Sequence, residues 1–314
     1  MGKRKLIIDT DCGSDDAVAI AMALRNPDVE VLMISTVCGN VSMEQAVQNT
    51  LTTLEYADTY FPPVYRGCSS PLLRKASFAF ETHGNDGLGD HGFMPKKLKP
   101  ASGNGIVEML SLLREAHPGE IEIVTLGPLT NLAVARMLDP ETLRRVKRIS
   151  SMGGTGLGYG NVSPLAEFNI WQDGEAAKIL LDFGAPLMFI GWDACLGDAI
   201  FQEHEIHHIE TSGELGRFAI QCNSRLIELN KTRFGSAVID MADPAAMAAV
   251  LWPECIKTCA EYPCEVEITN GPSYGALIVD RNHEFGRKPN AVICSELHAG
   301  LFKQCVINAL SLKP

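Results

Sequence analysis

Four aspartates fall within eight residues in the segment Asp9-Thr10-Asp11-Cys12-Gly13-Ser14-Asp15-Asp16. Carboxylates crowded this closely repel one another, and a bound cation is the usual remedy. The carboxylates offer oxygen donors, which favours Ca²⁺ or Mg²⁺ over zinc. Helix capping accounts for Asp15 and Asp16 at a helix start, but leaves Asp9 and Asp11 unexplained. An EF-hand loop counted from Asp9 fails, because its glycine and glutamate places hold Ser14 and Ile20. An aspartyl-nucleophile phosphatase also carries D-x-D after its first strand, and its second Asp would be followed two residues on by Thr or Val. Here that place is Gly13.

Two further segments carry polar groups suited to a small ligand. Asn161-Val162-Ser163-Pro164-Leu165-Ala166-Glu167-Phe168-Asn169 follows the glycine-rich Met152-Gly153-Gly154. Two amides and a carboxylate together donate to and accept from sugar hydroxyls, although loop and cap chemistry uses the same residues. Asp243 stands in Met241-Ala242-Asp243-Pro244, where capping before a first-turn proline is the ordinary alternative. Each of these two is weak alone.

The elements that must position these groups alternate. Lys5–Asp9, Glu30–Val37, Ile121–Leu126, Arg148–Met152 and Leu187–Gly191 read as strands. Asp15–Arg25, Glu44–Tyr56, Ile106–Ala116, a segment after Pro128, and Gly174–Phe183 read as helices. This order predicts an α/β fold: a mostly parallel, Rossmann-like open sheet flanked by helices, with its ligand site at the strand carboxyl ends. Farther on, Glu214–Lys231 reads as one long helix and Pro244–Leu251 as a shorter one. Glu265–Thr269, Ala276–Val279 and Ala291–Cys294 read as strands. Phe93–Gly103 reads as a surface loop, and with no linker or low-complexity stretch the whole of residues 1–314 is taken as one domain.

Composition narrows the partners. A net charge of -11 argues against nucleic acid or an anionic membrane. No signal-peptide pattern and no apolar span long enough for a bilayer is found, so a cytoplasmic protein is expected. The ten cysteines are scattered and read as reduced thiols; Cys255, Cys259 and Cys264 miss the usual zinc spacing. His204, His207 and His208 have helical metal-ligand spacing but read as a solvated face.

Together the motifs resemble those of the nucleoside hydrolases, the inosine-uridine-preferring nucleoside N-ribohydrolase family. The resemblance rests on D-T-D-x-G-x-D-D at Asp9–Asp16, Thr36-Val37-Cys38-Gly39-Asn40, His83-Gly84 and Leu126-Gly127-Pro128-Leu129-Thr130-Asn131. It continues through Met152-Gly153-Gly154, Ala166-Glu167-Phe168-Asn169-Ile170 and Ala242-Asp243-Pro244. It implies hydrolysis of a ribonucleoside to ribose and free base, with a calcium ion as cofactor. Asp11, Asp16, Asp243 and the Leu126 carbonyl would be the calcium ligands, and Asp11 the general base for the attacking water. Asp15, Asn40 and Asn169 would hold ribose hydroxyls, and Asn161 and Glu167 the 5′-hydroxyl. His83, Met152 and Phe168 would line the pocket, with Asp9 supporting the metal loop. A homodimer or homotetramer is implied as well.

One departure stands out. Many members carry His before the last metal-binding Asp, as the acid for the departing base, and here that residue is Ala242. His83, Arg233 and Asp240 are the substitutes in reach, and Trp192 is an aromatic that could stack on a purine. Without the acid, a purine or an activated leaving group is favoured, and a binding relative with lost turnover is the alternative.

Overall fold

The computed structural model describes residues 2–311. Ten strands are present: β1 (Arg4–Thr10), β2 (Val29–Thr36), β3 (Val64–Arg66), β4 (Ile121–Thr125), β5 (Arg148–Met152), β6 (Leu187–Ile190), β7 (Ile256–Tyr262), β8 (Cys264–Val266), β9 (Leu277–Val279) and β10 (Ala291–Leu297). Eight of them form one sheet in the order β3-β2-β1-β4-β5-β6-β10-β7. All neighbours are parallel except β10 and β7. Strand β1 shows why helices cover both faces: Leu6 and Ile8 join one core cluster, Ile7 joins the other, and none of the three reaches solvent.

The chain leaves β1 for β2 and β3 on one side, then returns to place β4 on the other. The crevice at the carboxyl ends of β1 and β4 is therefore the switch point at which open α/β sheets bind ligands. The Asp9–Asp16 loop and Leu126 both emerge there.

Two small-residue helices sit side by side over this edge. Ser14–Arg25 is buried from Ser14 to Leu24, and Ala242–Leu251 is buried from Asp243 onward. They pack directly on each other. Ala17, Ala19, Ala21 and Ala23 on one and Ala245, Ala246, Ala248 and Ala249 on the other present little bulk, which permits that packing. The consequence is functional: Asp15 and Asp16 in the first turn of one helix meet Asp243 in the first turn of the other.

Some expectations for the last third are corrected. Glu214–Lys231 is not one helix; it is broken into Glu214–Cys222 and Ser224–Phe234. The break is at Asn223, whose Nδ2 donates to the Ser14 carbonyl at 3.0 Å and to Ala219 at 2.9 Å. Strands β8 and β9 form a separate antiparallel pair rather than extending the main sheet. Strand β7 went unseen in the sequence because residues 257–261 are exposed and carry no apolar alternation. Residues 93–103 form no helix or strand, as expected of a loop.

Candidate active site

Strand β1 ends by handing its loop to the helix Ser14–Arg25, and the loop carboxylates are fixed by local hydrogen bonds. Asp16 reaches back as a cap: its Oδ2 accepts the Gly13 N–H at 2.8 Å and Asn40 Nδ2 at 3.2 Å, and Thr10 Oγ1 donates to its Oδ1. Asp11 Oδ2 accepts the Asn40 N–H at 2.6 Å, while its Oδ1 is buried with no hydrogen-bond partner. Glycines flank this carboxylate on both sides. A Cβ on Gly39 would lie 2.0 Å from Asp11 Oδ2, and one on Gly127 would lie 2.7 Å from Oδ1. That close approach accounts for glycine in both the Cys38-Gly39-Asn40 and Leu126-Gly127-Pro128 turns.

Asp9 lies beneath the loop. Its Oδ1 accepts from Ser35 Oγ and from Asn131 Nδ2 at 2.7 Å, and it does not line the cleft. Burial raises its carboxyl to about 7. Asp15, Asp16 and Asp243 each offer an oxygen within 4.8 Å of the others. That trio contains Asp15 where the resemblance puts Asp11. Asp11 is the adjoining carboxylate: burial and then the Asp16 charge hold it well above the ordinary range. Burial, then Asp15, Asp16 and Asp11, do the same to Asp243, and burial and Asp16 bring Asp15 to about 7. Burial raises Asp16 as well, against its hydrogen bonds. Four buried carboxylates all pushed toward their protonated forms, with an unpartnered oxygen among them, fit a divalent-cation site.

Above this floor opens a cleft of about 480 Å³. Of the residues expected at a site, it is lined by Asp15, Asn40, His83, Leu126, Met152, Asn161, Glu167, Phe168, Asn169 and Asp243. Asp11 and Asp16 sit with Asp9 beneath the lining. Glu167 caps the short helix Phe168–Gln172, accepting from Asn169 N at 2.8 Å, and also accepts the Gly154 N–H at 2.9 Å; burial raises it to about 7. Asn169 Nδ2 donates to the Leu126 carbonyl at 2.7 Å and to the Met152 carbonyl at 3.2 Å, tying the ends of β4 and β5 together. Asn161 Oδ1 accepts the Phe168 N–H at 2.9 Å.

His83 is buried beside Asp15, with Nδ1 at 3.9 Å from Asp15 Oδ1. The Ser14 N–H donates to Nδ1 at 3.2 Å, so the neutral ring carries its proton on Nε2. Burial pushes the imidazole down to about 4.

Several lining residues were not anticipated. Ser77–Thr82 forms one wall, with Phe78 and Phe80 stacked at 5.2 Å and both partly exposed. Two phenylalanines in a polar loop just before His83 were the available signal. The far end is built from Trp192, Leu226, Arg233, Asp240 and Ala242. Trp192, as readily a core residue by sequence, opens onto the cleft and meets Tyr159 edge-on at 5.6 Å. His204, His207 and His208 lie exposed on the helix Glu203–Thr211, away from this cleft. Cys255, Cys259 and Cys264 are free thiols.

A doubly covered parallel sheet, with buried carboxylates at its switch point and amides around a small cleft, defines a sugar-sized, metal-competent site. The family model for inosine-uridine preferring nucleoside hydrolases matches residues 6–304. The pyrimidine-specific ribonucleoside hydrolase RihB of Escherichia coli O157:H7 (strain EC4115 / EHEC) is 32% identical over 315 residues, covering 98% of each chain. Among solved structures, the plant nucleoside hydrolase PpNRh1 superposes with a TM-score of 0.92 at 29% identity, covering 99% of each chain. The purine-preferring ribonucleoside hydrolase from Gardnerella vaginalis gives 0.89 at 27% identity, covering 98% of each. The chain belongs to the inosine-uridine preferring nucleoside hydrolase family, whose members are enzymes that cleave N-glycosidic bonds. No helix among the described residues is long and apolar enough to cross a membrane.

Proposed function

We propose that this protein hydrolyses a ribonucleoside to ribose and free base, with calcium as its cofactor. The observation that carries the reading is the meeting of Asp15, Asp16 and Asp243, next to Asp11, at the floor of a nucleoside-sized cleft. Asp11, Asp16, Asp243 and the Leu126 carbonyl would hold the ion. All of them offer oxygen, and Asp11 Oδ1 has no protein partner to lose. Calcium, when bound, supplies the positive charge these carboxylates lack and an anchor for vicinal hydroxyls.

The chain's own groups do the rest. Asp15, Asn40 and Asn169 hold the ribose 2′- and 3′-hydroxyls, while Asn161 and Glu167 take the 5′-hydroxyl. Met152 and Phe168 pack on the sugar, His83 offers its Nε2–H at the wall, and Asp9 keeps the loop in place through Ser35 and Asn131. As the C1′–N bond breaks, positive charge builds on the ribose ring. The surrounding carboxylates are positioned in advance to meet it. Asp11 removes the proton of the attacking water.

The relatives are named for pyrimidine specificity in one case and purine preference in another, so the preferred base is not carried over from them. Free thiols throughout the described chain suit a reducing, cytoplasmic setting, and a homodimer or homotetramer is the assembly proposed. Supplying inosine, adenosine, guanosine, uridine and cytidine in turn, with calcium, and following base release by ultraviolet absorbance tests the function. Release from at least one is expected. Binding without release from any would leave a binding relative instead, the outcome that Ala242 makes worth checking.

A further inference from the structure

The cleft holds one carboxyl group remote in role from the cation floor. Asp240 lies in the segment joining the helices Ser224–Phe234 and Ala242–Leu251, and lines the cleft with Trp192, Arg233 and Ala242. It is held by a buried amide. Asn230 donates Nδ2 to Asp240 Oδ1 at 2.7 Å, and Asn230 is itself buried and donates to the Val238 carbonyl at 3.1 Å. Trp192 lines the same cleft and favours the charged form of this carboxyl.

Structure alone does not call for a carboxyl here. Asp240 caps no helix, and among the described residues it forms no ion pair within 4.0 Å. The Asn230 amide occupies part of a carboxylate's capacity of about four acceptor sites and restricts its rotamer, leaving the rest of the group for the cleft.

Resting on the hydrolase reading above, we infer that Asp240 is the acid that protonates the departing nucleobase. The other groups of the cleft are unsuited. Ala242 has no proton to give, and a guanidinium such as that of Arg233 does not release one. His83 stands beside Asp15 at the sugar end, where its Nε2–H faces the wall. Glu167 is committed to capping its helix, and Glu81 is exposed.

The surroundings agree with this role. Burial raises the Asp240 carboxyl above the ordinary range, so it keeps its proton to higher pH than an exposed aspartate. The charged and titratable groups that interact with it are Asp15 from the helix Ser14–Arg25, Cys195 from the turn Trp192–Cys195, and Arg233. Of these, Arg233 alone favours the carboxylate. In the reaction, the electron pair of the C1′–N bond passes to the base, and the Asp240 proton moves to a base heteroatom. The water oxygen bonds to C1′, its proton goes to Asp11, and solvent reprotonates Asp240 after product leaves. Asn230 donates to the carboxylate that remains. Two carboxyls serving as acid and base about a glycosidic bond is the logic of inverting glycosidases.

The test compares two leaving groups. A nitrophenyl riboside departs without a proton, whereas inosine and uridine do not. Asp240→Asn should lower kcat on the nucleosides by ~10²–10³-fold, with at most a few-fold loss on the riboside and little change in KM. Asp240→Glu should recover part of the loss. Equal losses on both substrates, or no loss on either, would overturn the assignment. If Asp240→Asn does not fold, Asn230→Ala removes the hydrogen bond that holds Asp240 and should show the same bias at smaller size; a uniform effect counts against the proposal. A wild type inactive on the riboside and on every nucleoside would overturn the hydrolase reading, and Asp240 with it. Activity on the riboside alone would overturn Asp240 only.

Discussion

The Asn40 N–H donates to Asp11 Oδ2 at 2.6 Å, and the other oxygen of that carboxylate is buried without a partner. One oxygen is thus used to set the rotamer, and the other remains for chemistry. Asp11→Asn keeps the shape but removes the base and weakens the cation floor. Initial-rate measurements should show kcat down by ~10²–10⁴-fold or more. Near-normal turnover would mean that Asp11 is not the base.

Asn169 joins two strand ends through the Leu126 and Met152 carbonyls. Its removal takes away a ribose contact and leaves two buried carbonyls short of a donor. Asn169→Ala should raise KM and lower kcat together, because a hydroxyl contact that tightens in the transition state serves both. Denaturant unfolding should show a loss of about 1–3 kcal/mol from the hydrogen bonds removed. A change in KM alone would restrict Asn169 to ground-state binding.

The carboxylate floor is unstable by itself, since burial raises all of Asp11, Asp15, Asp16 and Asp243, and mutual charge raises Asp11, Asp15 and Asp243 further. Calcium at about a hundred times its dissociation constant should add about 2.7 kcal/mol of stability. Thermal unfolding with calcium and with a chelator would therefore differ by several degrees. Asp243→Asn should abolish most of that difference. A calcium shift of full size in the variant would exclude Asp243 as a ligand.

His83 gives a stability dependence on pH with a definite sign. Burial lowers it to about 4, whereas in the unfolded chain histidine titrates near ~6.5. As pH falls, the unfolded state takes up the proton first. Stability is therefore fully present above ~6.5 and is lost as pH falls toward about 4, by about 3 kcal/mol in all. Glu167, raised to about 7, acts in the opposite sense over an overlapping range, so the comparison must be between variants. His83→Gln should lose less stability than the wild type between about pH 7 and about pH 5 in denaturant titrations. Parallel losses in the two proteins would show that His83 is not held neutral.

What could be read from sequence follows physical scale. Asp9–Asp16 was legible because carboxylate crowding after an apolar strand has few benign explanations, and the βα alternation yielded the parallel sheet. That Asp15 rather than Asp11 completes the closest carboxylate trio was not legible, because it depends on how two alanine-rich helices pack. Asn223 reads as an ordinary helical residue until its amide is seen bound to the Ser14 carbonyl, 209 positions away. Asp240 was named only as one of three substitute acids, because the Asn230 amide that holds it lies on a separate element. Strand β7 escaped because an exposed edge strand has no apolar period to detect.

The central claim is that water, directed by Asp11 over this carboxylate floor, cleaves a ribonucleoside at C1′. The most direct test is to quantify sugar and base together in phosphate-free buffer with calcium, for the wild type and for Asp11→Asn. Equimolar free ribose and free base from the wild type, with a loss of ~10²-fold or more in the variant, is the predicted result. No free ribose from any ribonucleoside, or ribose release undiminished in Asp11→Asn, would contradict it.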